Sequence, residues 1–132
     1  MSLQGYTGID GNEATGRVDI GLFLENRKPK MAQNLQVALE IKSEPSTDEV
    51  RPLDKTSPYD YDGVLVESNR VIMQFEDNLI VYKGQRAYIG ILSLWWRQGT
   101  FPHTCELSYT IYKSEGESDS GKHSISINWT PS

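Results

Sequence analysis

His103-Thr104-Cys105 sets an imidazole and a thiol two residues apart, a spacing that puts both side chains on the same side of a strand. A pair of that kind could supply an activated nucleophile or half of a metal site. Zinc takes three or four ligands. The chain has no second cysteine and only His123 besides, so a buried structural cysteine beside a turn histidine after Pro102 is the better reading. No catalytic residue is assigned, and no cofactor is expected.

Tyr59-Asp60-Tyr61-Asp62-Gly63 carries two carboxylates before a glycine, which makes Asp60 and Asp62 the candidate metal ligands, for calcium. Ile9-Asp10-Gly11-Asn12-Glu13 is a second acidic turn of similar make-up. The spacing of a helix-loop-helix calcium site is missing, because Val64 stands where a further oxygen ligand is required. The alternative is a solvated aspartate turn.

Trp95 and Trp96, with Tyr59, Tyr61 and Phe101, are the candidate binding residues, as an aromatic platform for a sugar ring or a protein hot spot. Neighbours on a strand face opposite ways. At most one of the two tryptophans is then available to a ligand. Asn128-Trp129-Thr130 fits the N-glycosylation pattern, but such triplets arise by chance and the match is discounted.

The elements that would carry these residues are strands. Val18, Ile20, Leu22 and Leu24 alternate with Asp19, Gly21, Phe23 and Glu25, as a half-buried strand requires. Leu35, Val37, Leu39 and Ile41 alternate with Gln36, Ala38, Glu40 and Lys42, although Ala32 to Lys42 holds enough helix formers for a short helix instead. Ser43 to Asp62 is polar and contains three of the six prolines, which argues against regular strands and for a long loop. Strands resume at Val64 to Glu67, Val71 to Glu76 and Leu79 to Lys83. Ala87 to Trp96 is apolar on both faces, with Tyr88, Gly90, Leu92, Leu94 and Trp96 on one and Ile89, Ile91 and Trp95 on the other. Such a strand needs cover twice, from a loop or a partner. Glu106 to Lys113 and a last strand with Ile125, Ile127 and Trp129 complete the pattern.

The expected fold is all-β: an antiparallel two-sheet Greek-key, immunoglobulin-like sandwich of about eight strands, formed by residues 1–132 as one domain. The 132 residues, 37% hydrophobic and 23% charged, suit one core. Thirteen Lys plus Arg against eighteen Asp plus Glu give a net charge of −5, a field that repels phosphate backbones, so nucleic acid is not an expected partner. Arg27, Lys28 and Lys30 beside Pro29 read as a solvated turn. No apolar run is long enough to cross a bilayer, so no direct membrane insertion is expected. One cysteine allows no internal disulfide, which leans towards a reducing, cytoplasmic compartment.

Asn26, Ala32 and Asn34, with Leu35 at an aliphatic position, make the stretch Asn26 to Leu35 similar to the corner that joins two early strands in prokaryotic immunoglobulin-like domains of the cell-adhesion-related type. Lys28 stands where that corner has glycine. The resemblance implies a sandwich that is an accessory domain of a larger bacterial or archaeal protein, and it brings no catalytic residues. The function expected is therefore a non-catalytic interaction or structural module, with a protein partner or a second copy bound through the sheet containing Ala87 to Trp96. The alternative is a carbohydrate-binding module stabilised by calcium, with a glycan as ligand.

Overall fold

The computed structural model describes residues 1–132 except 7, 28–34, 54–56, 60, 76–78, 98–100, 114, 115, 117 and 132, and except the side chains of 63–66. The described residues form eleven strands and no helix: β1 (Ser2–Gln4), β2 (Asp10–Asn12), β3 (Arg17–Glu25), β4 (Gln36–Lys42), β5 (Glu49–Pro52), β6 (Tyr61–Glu67), β7 (Arg70–Phe75), β8 (Arg86–Trp95), β9 (Thr104–Tyr112), β10 (Ser118–Ser126) and β11 (Asn128–Thr130).

They make two sheets. The first runs β11-β2-β3-β8-β5, and β1 shares the β2 edge of β3; the second runs β10-β9-β4-β7-β6. All pairings are antiparallel except that of β11 with β2. This is the immunoglobulin-like all-β sandwich read from the sequence, with seven of the eight or so expected strands and the short strands β1, β2, β5 and β11 besides.

Alternation builds the core. Val18, Ile20, Leu22 and Leu24 of β3 face inward, as do Leu35 and then Val37, Leu39 and Ile41 of β4, and all are essentially inaccessible to solvent. Val71, Met73 and Phe75 of β7 and Leu107 and Ile111 of β9 join them. Each aliphatic side chain so buried contributes about 1.5–3 kcal/mol. The helix alternative at Ala32 to Lys42 is not realised: Gln36–Lys42 pairs with both β7 and β9, and period-two burial excludes the helical period.

Two expectations differ from what is found. Ser43 to Asp62 contains a strand, β5, whose Val50 is fully buried and whose residues pair Glu49 with Trp95 and Pro52 with Leu92. An edge strand needs one apolar side chain per turn of the pleat and tolerates a proline, so its signature is faint. Conversely, Leu79 to Lys83 is not a strand beyond a single bridge at Val81. Leu79 and Val81 are buried in a connection pinned by Asn26, whose side-chain amide donates to the Val81 carbonyl at 2.9 Å. The Gly84 amide donates to the Asn26 carbonyl at 2.6 Å. Asn26 thus pins the connection between β7 and β8, a role the sequence resemblance did not assign; residues 28–34 of the Asn26 to Leu35 corner lie outside the described residues.

Candidate binding face

The phase of β8 sets what the first sheet shows to solvent. Leu22 pairs with Gly90 but Phe23 pairs with Tyr88, so Ile89 is an extra residue in the β8 ladder. Gly90 takes φ +127°, which a side chain would resist. Because a bulge inserts one residue, it inverts the side-chain phase. Ala87 and Ile89 before it, and Leu92, Leu94 and then Trp96 after it, all point into the core. The expectation that Ala87 to Trp96 presents one apolar set to each face is corrected on this point. The outer face of β8 carries Tyr88, Ile91, Ser93 and Trp95.

These residues stand beside Phe23, Gly21, Asp19 and Arg17 of β3 in register, and Trp95 and Ser93 also stand beside Glu49 and Arg51 of β5. The guanidinium of Arg17 lies 5.3 Å from the Trp95 ring centroid and that of Arg51 5.1 Å, one from the strand on either side. Further along, Phe23 and Tyr88 pack with ring centroids 5.2 Å apart, and Arg86 lies 5.1 Å over Phe23. Cation–π contacts of this kind hold the long side chains flat on the sheet.

The polar groups between are tied together. Ser93 is buried and donates to Asp19 Oδ1 at 2.6 Å, and Arg17 Nε donates to the same oxygen at 2.9 Å. Arg51 pairs with Glu49 at 3.3 Å. Arg86 has no carboxylate within ion-pair distance among the described residues. At the centre, Gly21 leaves a gap: a methyl group there would meet only the Phe23 ring, at 4.0 Å. An open polar depression of about 460 Å³, lined in part by Asp10, Asn12 and Thr130, borders the strip at Arg17 and Asp19.

The outer face of the second sheet is different in kind. Its β10 and β9 rows hold Ser118, Ser120, Lys122, Ser124, Thr104, Glu106, Ser108 and Thr110, with Thr110 and Ser120 hydroxyls 3.2 Å apart and Lys122 3.9 Å from Glu106. Tyr112, exposed, ends the β9 row.

The five aromatic candidates are not one platform. Only Trp95 lies on the strip. Trp96 is buried, its indole N–H shared between Ser43 Oγ at 3.1 Å and the Pro45 carbonyl at 3.0 Å. Phe101 stacks on Trp129 at 4.5 Å, at the same end of the core. Tyr61 packs on Phe75 at 5.4 Å in the second sheet, and Tyr59 precedes it, half-buried, with its amide donating to Ser57 Oγ. Arg17 and Arg51, which flank Trp95, and Phe23, Tyr88 and Arg86 further along the strip are not marked as binding residues by the sequence. The signal for Phe23 was available: an aromatic in the polar register of β3.

The other candidates separate too. His103 is exposed while Cys105 is buried, and burial pushes the thiol up to about 11, away from the thiolate that nucleophilic chemistry needs. Asp62 is exposed, opposite Gln74, and Asp60 lies outside the described residues. Among the described residues no three His, Cys, Asp or Glu side chains come together to hold a metal.

No protein-family model and no curated protein matches this sequence. Solved structures do share its fold. An uncharacterised protein from Nocardia farcinica with an immunoglobulin-like fold superposes with TM-score 0.62 at 11% identity over 96% of each chain. A cohesin module from a Clostridium perfringens family 33 glycoside hydrolase gives 0.58 at 11% identity, over 98% of this chain and 96% of that one. AvmM, which catalyses macrocyclization in alchivemycin A biosynthesis, gives 0.54 at 12% identity, over 99% and 89%. At such identities the likeness is one of fold. One architecture hosts a cohesin module and a catalyst, so function must be argued from the site.

Proposed function

We propose that this chain is a non-catalytic interaction module, accessory to a larger protein or assembly, which binds a protein partner on the outer face of its first sheet. The observation that supports this reading is the run of aromatic and arginine side chains in mutual contact along one outer face. Trp95, Tyr88, Phe23, Arg17, Arg51 and Arg86 are the residue types that dominate protein hot spots, already ordered by mutual contact, which lowers the entropy lost on binding. The partner presents an apolar side chain to the gap at Gly21 and a carboxylate to Arg86.

A second reading, carbohydrate binding, draws on the Phe23–Tyr88 pair and the neighbouring polar depression. Against it, Arg17 and Arg51 flank Trp95 and compete with a sugar ring for its faces. A displayed random-peptide library and a glycan array, each applied to the wild type and to Trp95→Ala, separate the two. Acidic-apolar peptides whose binding is lost in Trp95→Ala support the protein-binding reading. Glycans retained by the wild type, with no peptide enriched, overturn it.

A further inference from the structure

Edges as well as faces offer backbone to a partner. An unpaired edge strand exposes a row of N–H and C=O groups that a second chain can extend, and proteins usually blunt such edges. Three of the edges here are blunted or short. β5 has four residues and ends in Pro52, β6 carries a register irregularity between Leu65 and Glu67, and β11 has three residues.

β10 is different. It is nine residues long, has no proline, and keeps one unbroken register with β9 from Ser118–Tyr112 to Ser126–Thr104. It ends its sheet, and among the described residues β9 is the only strand paired with it. β1 and its flanking residues meet it through side chains rather than through a ladder: the His123 Nε2 lies 2.8 Å from the Leu3 carbonyl oxygen, the Tyr6 ring packs on the His123 ring at 4.7 Å, and the Met1 ammonium pairs with Asp119.

We infer that two copies of this chain associate edge to edge through β10, antiparallel about a two-fold axis at Gly121, to form one continuous sheet. The strand is self-complementary about that residue. Asp119 falls opposite the second copy's His123, Ser120 opposite the second copy's Lys122, and Ser118 opposite the second copy's Ser124. An axis one residue on, at Lys122, sets lysine against lysine, which cross-strand pairing penalises. An axis one residue back, at Ser120, shortens the paired stretch to Ser118–Lys122, because β10 begins at Ser118. At the axis itself Gly121 brings no side chain, because the Tyr109 ring covers it: a Cβ there would fall 2.4 Å from the Tyr109 hydroxyl oxygen. Asp119 is held by the Met1 ammonium and by Lys113 Nζ, the latter at 3.0 Å.

The test is sedimentation equilibrium of the wild type and of two exposed variants, Ser120→Glu and Ser120→Lys, whose folding is checked by circular dichroism. The expected result is a concentration-dependent doubling of the 14.9 kDa mass. Ser120→Lys weakens it and Ser120→Glu strengthens it, each by roughly tenfold, since two cross-strand pairs with Lys122 change per dimer. An equimolar mixture of Ser120→Cys and Lys122→Cys chains then gives a disulfide-linked heterodimer that neither gives alone. A single-chain mass up to millimolar concentration overturns the inference, as do shifts of the same sign for both charge variants. Trp95→Ala is the control that keeps this separate from the proposed partner face. If it abolishes the dimer while Ser120→Lys leaves it intact, self-association runs through the first sheet and the β10 inference falls.

Discussion

The indole of Trp129 meets that of Trp96 edge-on, with ring centroids 5.8 Å apart and planes at 85°. Phe101 stacks on the Trp129 ring at 4.5 Å, the Trp129 N–H donates to the Pro102 carbonyl at 2.7 Å, and Gly11 lets the ring sit where a Cβ would come within 2.5 Å. One half-buried side chain therefore ties β11 and β2 to the end of the core. Trp129→Ala should cost about 2–4 kcal/mol. Urea titration giving less than about 1 kcal/mol would show that the ring is expendable.

The β8 bulge rests on Gly90 at φ +127°. Gly90→Ala is expected to destabilise by about 1–3 kcal/mol, whereas Gly21→Ala, opposite Ile91 with open space above it, should be neutral or slightly stabilising. Equal effects at the two positions in thermal unfolding would argue against a bulge that fixes the faces of β8.

Asn26 is buried and satisfies the Val81 carbonyl. Asn26→Ala keeps the backbone bond from Gly84 but leaves the Val81 acceptor without its donor, at a cost of about 1–3 kcal/mol. Hydrogen exchange should report it first at Ile89 and Ala87, next to the connection. Unchanged exchange there would contradict the role given to Asn26.

Alkaline stability follows from two buried acids. Unfolded, the Cys105 thiol ionises near 9.0, and folded near 11 because burial disfavours the thiolate. Between those values only the unfolded chain has lost the proton, so this contribution is intact below about pH 9 and is lost as pH rises towards 11. Tyr6 acts in the same direction above its ordinary 10.0: burial first, then Tyr109, raise it, and its hydroxyl has no hydrogen-bond partner among the described residues. Cys105→Ala should flatten the fall between pH 9 and 11, and Tyr6→Phe should flatten it above pH 10 while adding up to about 1 kcal/mol at neutral pH. Stability that rises from pH 9 to 11 in the wild type would reverse the sign of the argument.

Where a strand keeps one phase from end to end, its buried face was legible in the sequence: β3 and β4 declare theirs through Val18 to Leu24 and Leu35 to Ile41. β8 does not, because period-two counting runs straight through Ile89 and Gly90 and assigns the residues beyond the bulge to the wrong side. β5 was hidden by Pro52 and by having Val50 as its one core residue, and with it went Arg51, half of the Trp95 sandwich. Leu79 and Val81 alternate like a strand yet serve a connection, since alternation records burial and not hydrogen bonding. The candidate face needed cross-strand neighbours, Arg17 beside Trp95 and Phe23 beside Tyr88, and those depend on a register that no local pattern encodes.

The partner face is tested most directly by chemical-shift mapping of the nitrogen-15-labelled chain against peptides selected from a displayed library. The account predicts that the largest shifts fall on Phe23, Tyr88, Ile91 and the Trp95 indole, with binding at least tenfold weaker in Trp95→Ala, the loss expected of a hot-spot aromatic. Shifts centred instead on Thr110, Tyr112 and Ser120 of the second sheet, or binding undiminished in Trp95→Ala, would contradict it.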